Sequence, residues 1–258
     1  MSFKDLIVIS GGTKKILAIT ISVTALAVAF AFFYYRGVNR SEDPRVSEAR
    51  RYMAEYDRVA GGTGSYAFFH LLDSAAMIYG RVPGYETSWE AGVIYNNKCS
   101  GLLLMALYDS TIAPSEKNAL LELSVVYCDS SISVYNRWLD EWEELPEDSV
   151  ALRVLTEMHE EDTAFTGLNF RKISGKRVKD VMLATIETPR RLSVSYTNKA
   201  TAYRHMMLQD SALIYYERAL SLWKDNRTAE SNLSVLLGGE PLKPGLIKSL
   251  FPPDRKKK

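Results

Sequence analysis

The run from Ile16 to Tyr35 holds 20 residues without a charge, and as an α-helix that length crosses the ~30 Å hydrocarbon layer of a bilayer. A membrane span is therefore expected near the start of the chain. Lys14 and Lys15 flank it on one side and Arg36 on the other, while Tyr34 and Tyr35 fall where an interfacial aromatic belt sits. The rival reading is a cleavable signal peptide, for which Ala27-Val28-Ala29 offers a small-residue site. Apolar character continues beyond that site through Phe30, Phe32 and Phe33, which favours a retained single-pass anchor. Orientation is less determined. Lys4, Lys14 and Lys15 precede the span and Arg36, Arg40, Arg45, Arg50 and Arg51 follow it, a count that keeps the large domain in the cytoplasm. Long domains nevertheless cross largely regardless of charge, and the reading leans to an exported, periplasmic or extracytoplasmic domain.

The remaining sequence is ordinary in charge. A formal net charge of +1 supplies no field that recruits nucleic acid, and no basic run is interleaved with aromatics. Cys99 and Cys128 make no metal-ligand pattern and read as two small buried residues. Acceptor sequons at Asn39, Asn226 and Asn232 matter only in a eukaryotic secretory pathway.

The expected organisation is an N-terminal flank over 1–15, the anchor over 16–35, a polar linker over 36–45, a helical domain over 46–237 and a tail over 238–258. Strand signals are scarce. Apolar residues recur at spacings of three and four between breakers at Gly61-Gly62-Thr63-Gly64, Pro83-Gly84, Pro114, Pro146, Gly175, Pro189 and Gly238-Gly239. This pattern predicts helices over 46–59, 65–81, 87–108, 115–127, 129–144, 147–160, 176–187, 190–207, 210–224 and 227–237. The stretch 161–175 is the least readable. Arg171, Lys172, Lys176, Arg177 and Lys179 read as a solvated loop and helix face, with an interaction patch as the alternative.

Self-similarity constrains the fold further. Tyr196, Ala200 and Tyr203 share one predicted helix, and Ala212, Tyr216 and Ala219 the next. Tyr95-Asn96-Asn97-Lys98-Cys99 mirrors Tyr196-Thr197-Asn198-Lys199-Ala200, and Asn232-Leu233-Ser234 repeats Asn198-Lys199-Ala200. A second echo is Asp73-Ser74-Ala75 with Tyr79, Asp129-Ser130-Ser131 with Tyr135, and Asp210-Ser211-Ala212 with Tyr216, where Asp-Ser is expected to start the second helix of each pair. The unit 193–226 resembles the tetratricopeptide repeat, departing from it at Lys199 and Lys224, where that family usually has leucine and proline. The resemblance implies an all-α fold of antiparallel hairpins stacked as a solenoid, with Ala200 and Ala212 in close contact and Tyr203 and Tyr216 as packing knobs. The second helix of the earlier unit is expected to begin late because of Pro114.

Enzymatic chemistry finds little support. His159 sits in Glu157-Met158-His159-Glu160-Glu161-Asp162, without the second histidine of a zinc site, and reads as a solvated acidic helix end. His70 and His205 read as packed helix residues. No glycine loop with a suitable lysine and no serine elbow is present, so no cofactor, metal or catalytic group is expected. In the implied array Asn97, Asn198 and Asn232 share one phase of successive first helices, where a carboxamide can donate to and accept from an extended peptide backbone. Tyr95, Tyr196, Lys199 and Arg204 complete the candidate groove for a protein or peptide partner.

The reading is a membrane-anchored scaffold or adaptor, co-chaperone-like or part of an envelope complex, and not an enzyme. The alternatives are a structural subunit of a membrane-associated assembly and an all-helical hydrolase of envelope polymers using acids among Glu141, Glu143, Glu144, Glu157 and Glu160. If Ile16–Tyr35 is retained, the mature protein stays in carbonate-washed membranes. Recovery in the wash, or a mature N-terminus at Phe30 or later, refutes the anchor.

Overall fold

The computed structural model describes residues 11–39, 41–60 and 65–242, with side chains over 15–32, 41–60 and 66–242. The flank 1–10, the Gly61-Gly62-Thr63-Gly64 turn, the side chains of Tyr34, Tyr35 and Asn39, and the tail beyond residue 242 lie outside that description. The helices are α1 (Gly11–Asn39), α2 (Ser47–Val59), α3 (Phe69–Tyr79), α4 (Trp89–Tyr108), α5 (Pro114–Trp142), α6 (Glu147–Glu157), α7 (Phe170–His205), α8 (Gln209–Leu222) and α9 (Arg227–Leu236). No strand occurs among the described residues. The chain is all-α. Within α1, Lys15–Phe32 has a mean hydropathy of 2.1 with none of it buried, so this helix is long and apolar enough to cross a membrane.

Several predicted breaks are absent. The helices expected over 115–127 and 129–144 are one, because Pro114 takes the first turn of α5, where a missing N–H costs nothing. The late, irregular start expected there does not occur. The helices expected over 176–187 and 190–207 are also one, running through Gly175 and Pro189. An interior proline costs about 3 kcal/mol, offset here by burial of Val178, Val181 and Ala184 before it and Leu192, Tyr196 and Ala200 after it in one core. Asp73 and Asp129 consequently lie inside helices and do not start them, whereas Asp210 does occupy the first turn of α8. The expected starts fail where apolar packing continues across the polar pair.

Other boundaries have plain causes. The Asn169 side chain accepts from the Lys172 amide and Asn226 from the Ala229 amide, capping α7 and α9. Asn226 is buried, which removes it as a glycosylation acceptor. Gly238 adopts φ 85° and ends α9, with its amide donating to Val235 O and that of Gly239 to Ser234 O.

Packing proceeds pairwise. α2 lies on α3, α4 on α5 and α7 on α8, with α9 against α8; α3 touches α4, α4 and α5 touch α7, and α7 touches α9. α6 packs on α7. α4 and α5 approach closely at Gly92 of α4, where a methyl group would overlap the Tyr135 ring of α5. There Ser131 Oγ donates to Gly92 O at 2.9 Å and lies 3.0 Å from Ser195 Oγ of α7. Ala200 and Ala212 are both fully buried, as is Tyr216, while Tyr203 stacks on Tyr215.

Cys99 and Cys128 are buried, but they are not merely small packing residues. They form a disulfide between α4 and α5, with Cα atoms 5.3 Å apart.

Arg177 is likewise not on a solvated face. It is buried, donates to Glu90 Oε1 at 2.6 Å and Gly84 O at 2.9 Å, and lies over the Tyr85 and Trp89 rings. Its neighbours extend to the segment after the anchor. Asp43 and Val46 are buried, Arg45 pairs with Asp43 at 2.8 Å and sits over Phe165, and Glu42 pairs with Arg50 and Lys176. The end of the segment read as a 36–45 linker is thus docked on the domain and is not a free polar spacer. His70 is exposed, contrary to its reading as a packed residue.

These two kinds of buried cation generate contrasting expectations. Arg177→Met leaves the Glu90 carboxylate, only 13% exposed, without its partner and is expected to cost about 3 kcal/mol. Lys199→Met abandons Asp129, whose side chain is 51% exposed, and a hydrogen bond to the half-buried Tyr215 hydroxyl, and is expected to cost only about 1 kcal/mol. Chemical denaturation of both variants checks this; equal losses would refute the distinction.

Candidate protein-binding face

The repeated quintets of α4 and α7 place equivalent side chains in equivalent surroundings. Lys98 of α4 reaches Asp73 of α3, and Lys199 of α7 reaches Asp129 of α5. Each lysine is therefore tied to the preceding helix pair. Each also lies over a tyrosine of its own pair: Lys98 over Tyr127 at 5.2 Å and Lys199 over Tyr215 at 4.2 Å. Those rings stack in turn on Tyr95 and Tyr196, at 6.4 and 5.9 Å. Burial pulls the Lys199 ammonium down, but hydrogen bonds to Asp129 and Tyr215 outweigh it and hold the group above its ordinary value.

This geometry also shifts the sequence register. Tyr127 and Tyr215 play matching roles, so the counterpart of Asp129 is Glu217, about two helical turns beyond Asp210. In α9 the lysine position holds Leu233, which packs against the core.

Polar side chains also link α2, α4, α7 and α9, the helices that the repeat resemblance takes as the first of its units. Tyr56 Oη donates to Asn97 O at 3.4 Å. Asn198 Nδ2 and Ser195 Oγ both donate to Asn96 Oδ1, at 3.1 and 3.0 Å. Asn232 Nδ2 donates to Thr201 Oγ1 at 3.3 Å. The chain of contacts thus passes from α2 to α4, from α4 to α7 and from α7 to α9.

Of the candidate groove residues, Asn198 and Asn232 are half-buried and engaged in these cross-helix bonds. Tyr196 and Lys199 are buried in the inter-pair packing, and Tyr95 is half-buried on Tyr127. Asn97 lines an open cleft of about 230 Å³ between α2 and α4, with Tyr56, Asp57, Ala60, Ser100 and Leu104. Burial pushes the Asp57 carboxyl above its ordinary range. Arg204 lines a second cleft, of about 420 Å³, where the ends of α4 and α7 meet the start of α5. His205, expected to be packed, is exposed at its rim, and burial followed by the Arg204 charge lowers its pKa.

Sequence reasoning passed over Asn96, which accepts from two side chains of α7, and Lys98, which had the register of Lys199 as its signal. The acids considered for hydrolysis do not converge on a cleft: Glu141 and Glu157 both pair with Arg153, and Glu143, Glu144 and Glu160 are exposed. His159 is exposed beside them.

Asn198→Ala and Asn232→Ala should each lower stability by about 0.5–1.5 kcal/mol through the lost cross-helix bond, while Asn97→Ala should leave it within about 0.5 kcal/mol. Thermal melts of the full chain test this ordering. The ordering fails if Asn97→Ala is the most damaging of the three.

Compared with known proteins, the chain matches no family model, no curated protein and no solved structure.

Proposed function

We propose that this chain is a membrane-anchored, tetratricopeptide-like scaffold without enzymatic activity, holding a partner polypeptide across α2, α4, α7 and α9. The observation that carries the reading is the repeated lysine–aspartate–tyrosine arrangement joining successive helix pairs. Such nearest-neighbour packing is how a repeat array holds a continuous binding surface. The cleft beside Asn97 is where that surface offers a peptide both a carboxamide and apolar contacts.

The disulfide supports placing the helical domain on the exported side. Buried disulfides persist in oxidising compartments, and cytosolic thiols are kept reduced. With α1 as the anchor, its lysine-flanked start then faces the cytoplasm, an orientation that runs against the larger count of arginines after the span and rests on the disulfide. A structural role within a membrane-associated assembly remains the second reading, supported by the same packing: one stoichiometric partner across the first helices favours it, and many weakly held peptides favour an adaptor.

A photo-crosslinking residue placed at Asn97 in the full chain should capture protein partners in intact cells, whereas one at Glu122, exposed on α5, should not. Equal capture from both positions, or none from Asn97, defeats the groove. In the same cells a thiol-reactive polymer tag should modify the denatured protein only after reduction. Labelling of unreduced protein at both cysteines would instead return the domain to the cytoplasm.

A further inference from the structure

The second cleft carries an inference that goes beyond the groove reading and stands whether or not a polypeptide lies along the first helices. Its walls come from three elements: Ala106, Leu107 and Tyr108 of α4, Pro114, Lys117, Asn118 and Leu121 of α5, and Arg204 and His205 of α7. At about 420 Å³ it falls in the range of small-molecule clefts, ~300–1,000 Å³. Its apolar side belongs to a small core cluster that includes Ala106 and Leu121 with Leu107 packed on it. Its polar side offers two cations from different helices. Neither Lys117 nor Arg204 forms an ion pair among the described residues.

The bland account of these cations is incomplete. Arg204 in the last turn of α7 suits the helix dipole, but that does not explain why Lys117 of α5 lines the same cleft. Asp109 lies near Lys117, but its carboxylate is turned onto Thr111, accepting from both its amide and its hydroxyl, at 2.8 and 2.6 Å. Glu116 is exposed in the first turn of α5 and is not among the lining residues. His205 contacts the Arg204 guanidinium at 3.3 Å. The cleft therefore combines an apolar wall, a guanidinium able to bind a carboxylate in two-pronged fashion, an ammonium and a carboxamide.

We propose that this cleft binds an amphipathic carboxylate, an apolar group ending in a carboxylate, with Arg204 and Lys117 holding the charge and Leu107 and Leu121 the apolar part. An inorganic anion uses only half of these features. A free acyl carboxylate and the apolar C-terminal residue of a polypeptide present the same chemistry, so the test separates them.

The experiment is calorimetric titration of the full chain in lipid nanodiscs with octanoate, octanamide, acetyl-leucyl-leucine and inorganic phosphate. Octanoate or the peptide acid should bind saturably and at least about tenfold more tightly than octanamide or phosphate, since charge-assisted bonds are worth that much. Arg204→Gln and Lys117→Gln should each weaken that binding by about tenfold while leaving the melting temperature unchanged. A tighter peptide acid identifies a polypeptide as the source, and a tighter octanoate identifies a free carboxylate. The proposal is overturned if neither acid binds saturably, if octanamide or phosphate binds as well as the acids, or if the folded variants bind like the parent.

Discussion

Three helices converge at Gly92, Ser131 and Ser195, and the rest of the domain is arranged around that contact. A side chain at Gly92 would collide with Tyr135, so the absence of a Cβ sets how close α4 and α5 can lie. The two serines then fill the space left by their small size with polar contacts, Ser131 on the Gly92 carbonyl and on Ser195, so that neither hydroxyl is stranded. Ser195 passes the connection on to Asn96, from which the link to Asn198 follows. The disulfide sits two turns along α4 from Gly92, on the same α4–α5 contact. A covalent bond and a close van der Waals approach therefore fix the same pair of helices.

The charged groups do different work according to their burial. Arg177 and Glu90 are enclosed together with Tyr85 and Trp89, and such a pair gives specificity because either member alone is costly. The Tyr85 phenol, pushed up by burial, adds no competing charge at ordinary pH. Lys98 and Lys199 instead extend buried stems to carboxylates at the surface. Their energetic contribution is modest, but each connects one helix pair to the one before it and so favours a single packing order.

The lysines also show what a sequence can and cannot disclose. The quintets Tyr95–Cys99 and Tyr196–Ala200 were visible as a register, and the structure gives their tyrosines and lysines matching environments. The all-α class was equally visible, from apolar spacing alone. The unbroken α5 and α7 were not, because Asp129-Ser130 and Pro189 are strong local signals that long apolar faces override. Arg177 looked like one of five solvated cations, since nothing local marks which of them meets the half-buried Glu90, 87 positions away. The cleft at Arg204 was only half legible for the same reason: Lys117 belongs to it through the fold, not through any spacing in the chain.

Docking of the linker decides what the proposed anchor can accomplish. Asp43 and Val46 are buried and Arg45 reaches the carbonyl of Glu157, so the domain begins four residues after α1 ends at Asn39. Four residues reach at most about 14 Å. A flexible spacer would have let the domain search a wide volume, whereas this length keeps it beside the end of α1. In the proposed arrangement a partner in the same membrane meets the first helices at high effective concentration, so modest contacts at Asn97 suffice for capture. In that proposed arrangement a freely diffusing partner would gain nothing from the tether, whereas one confined to the same membrane would gain the most.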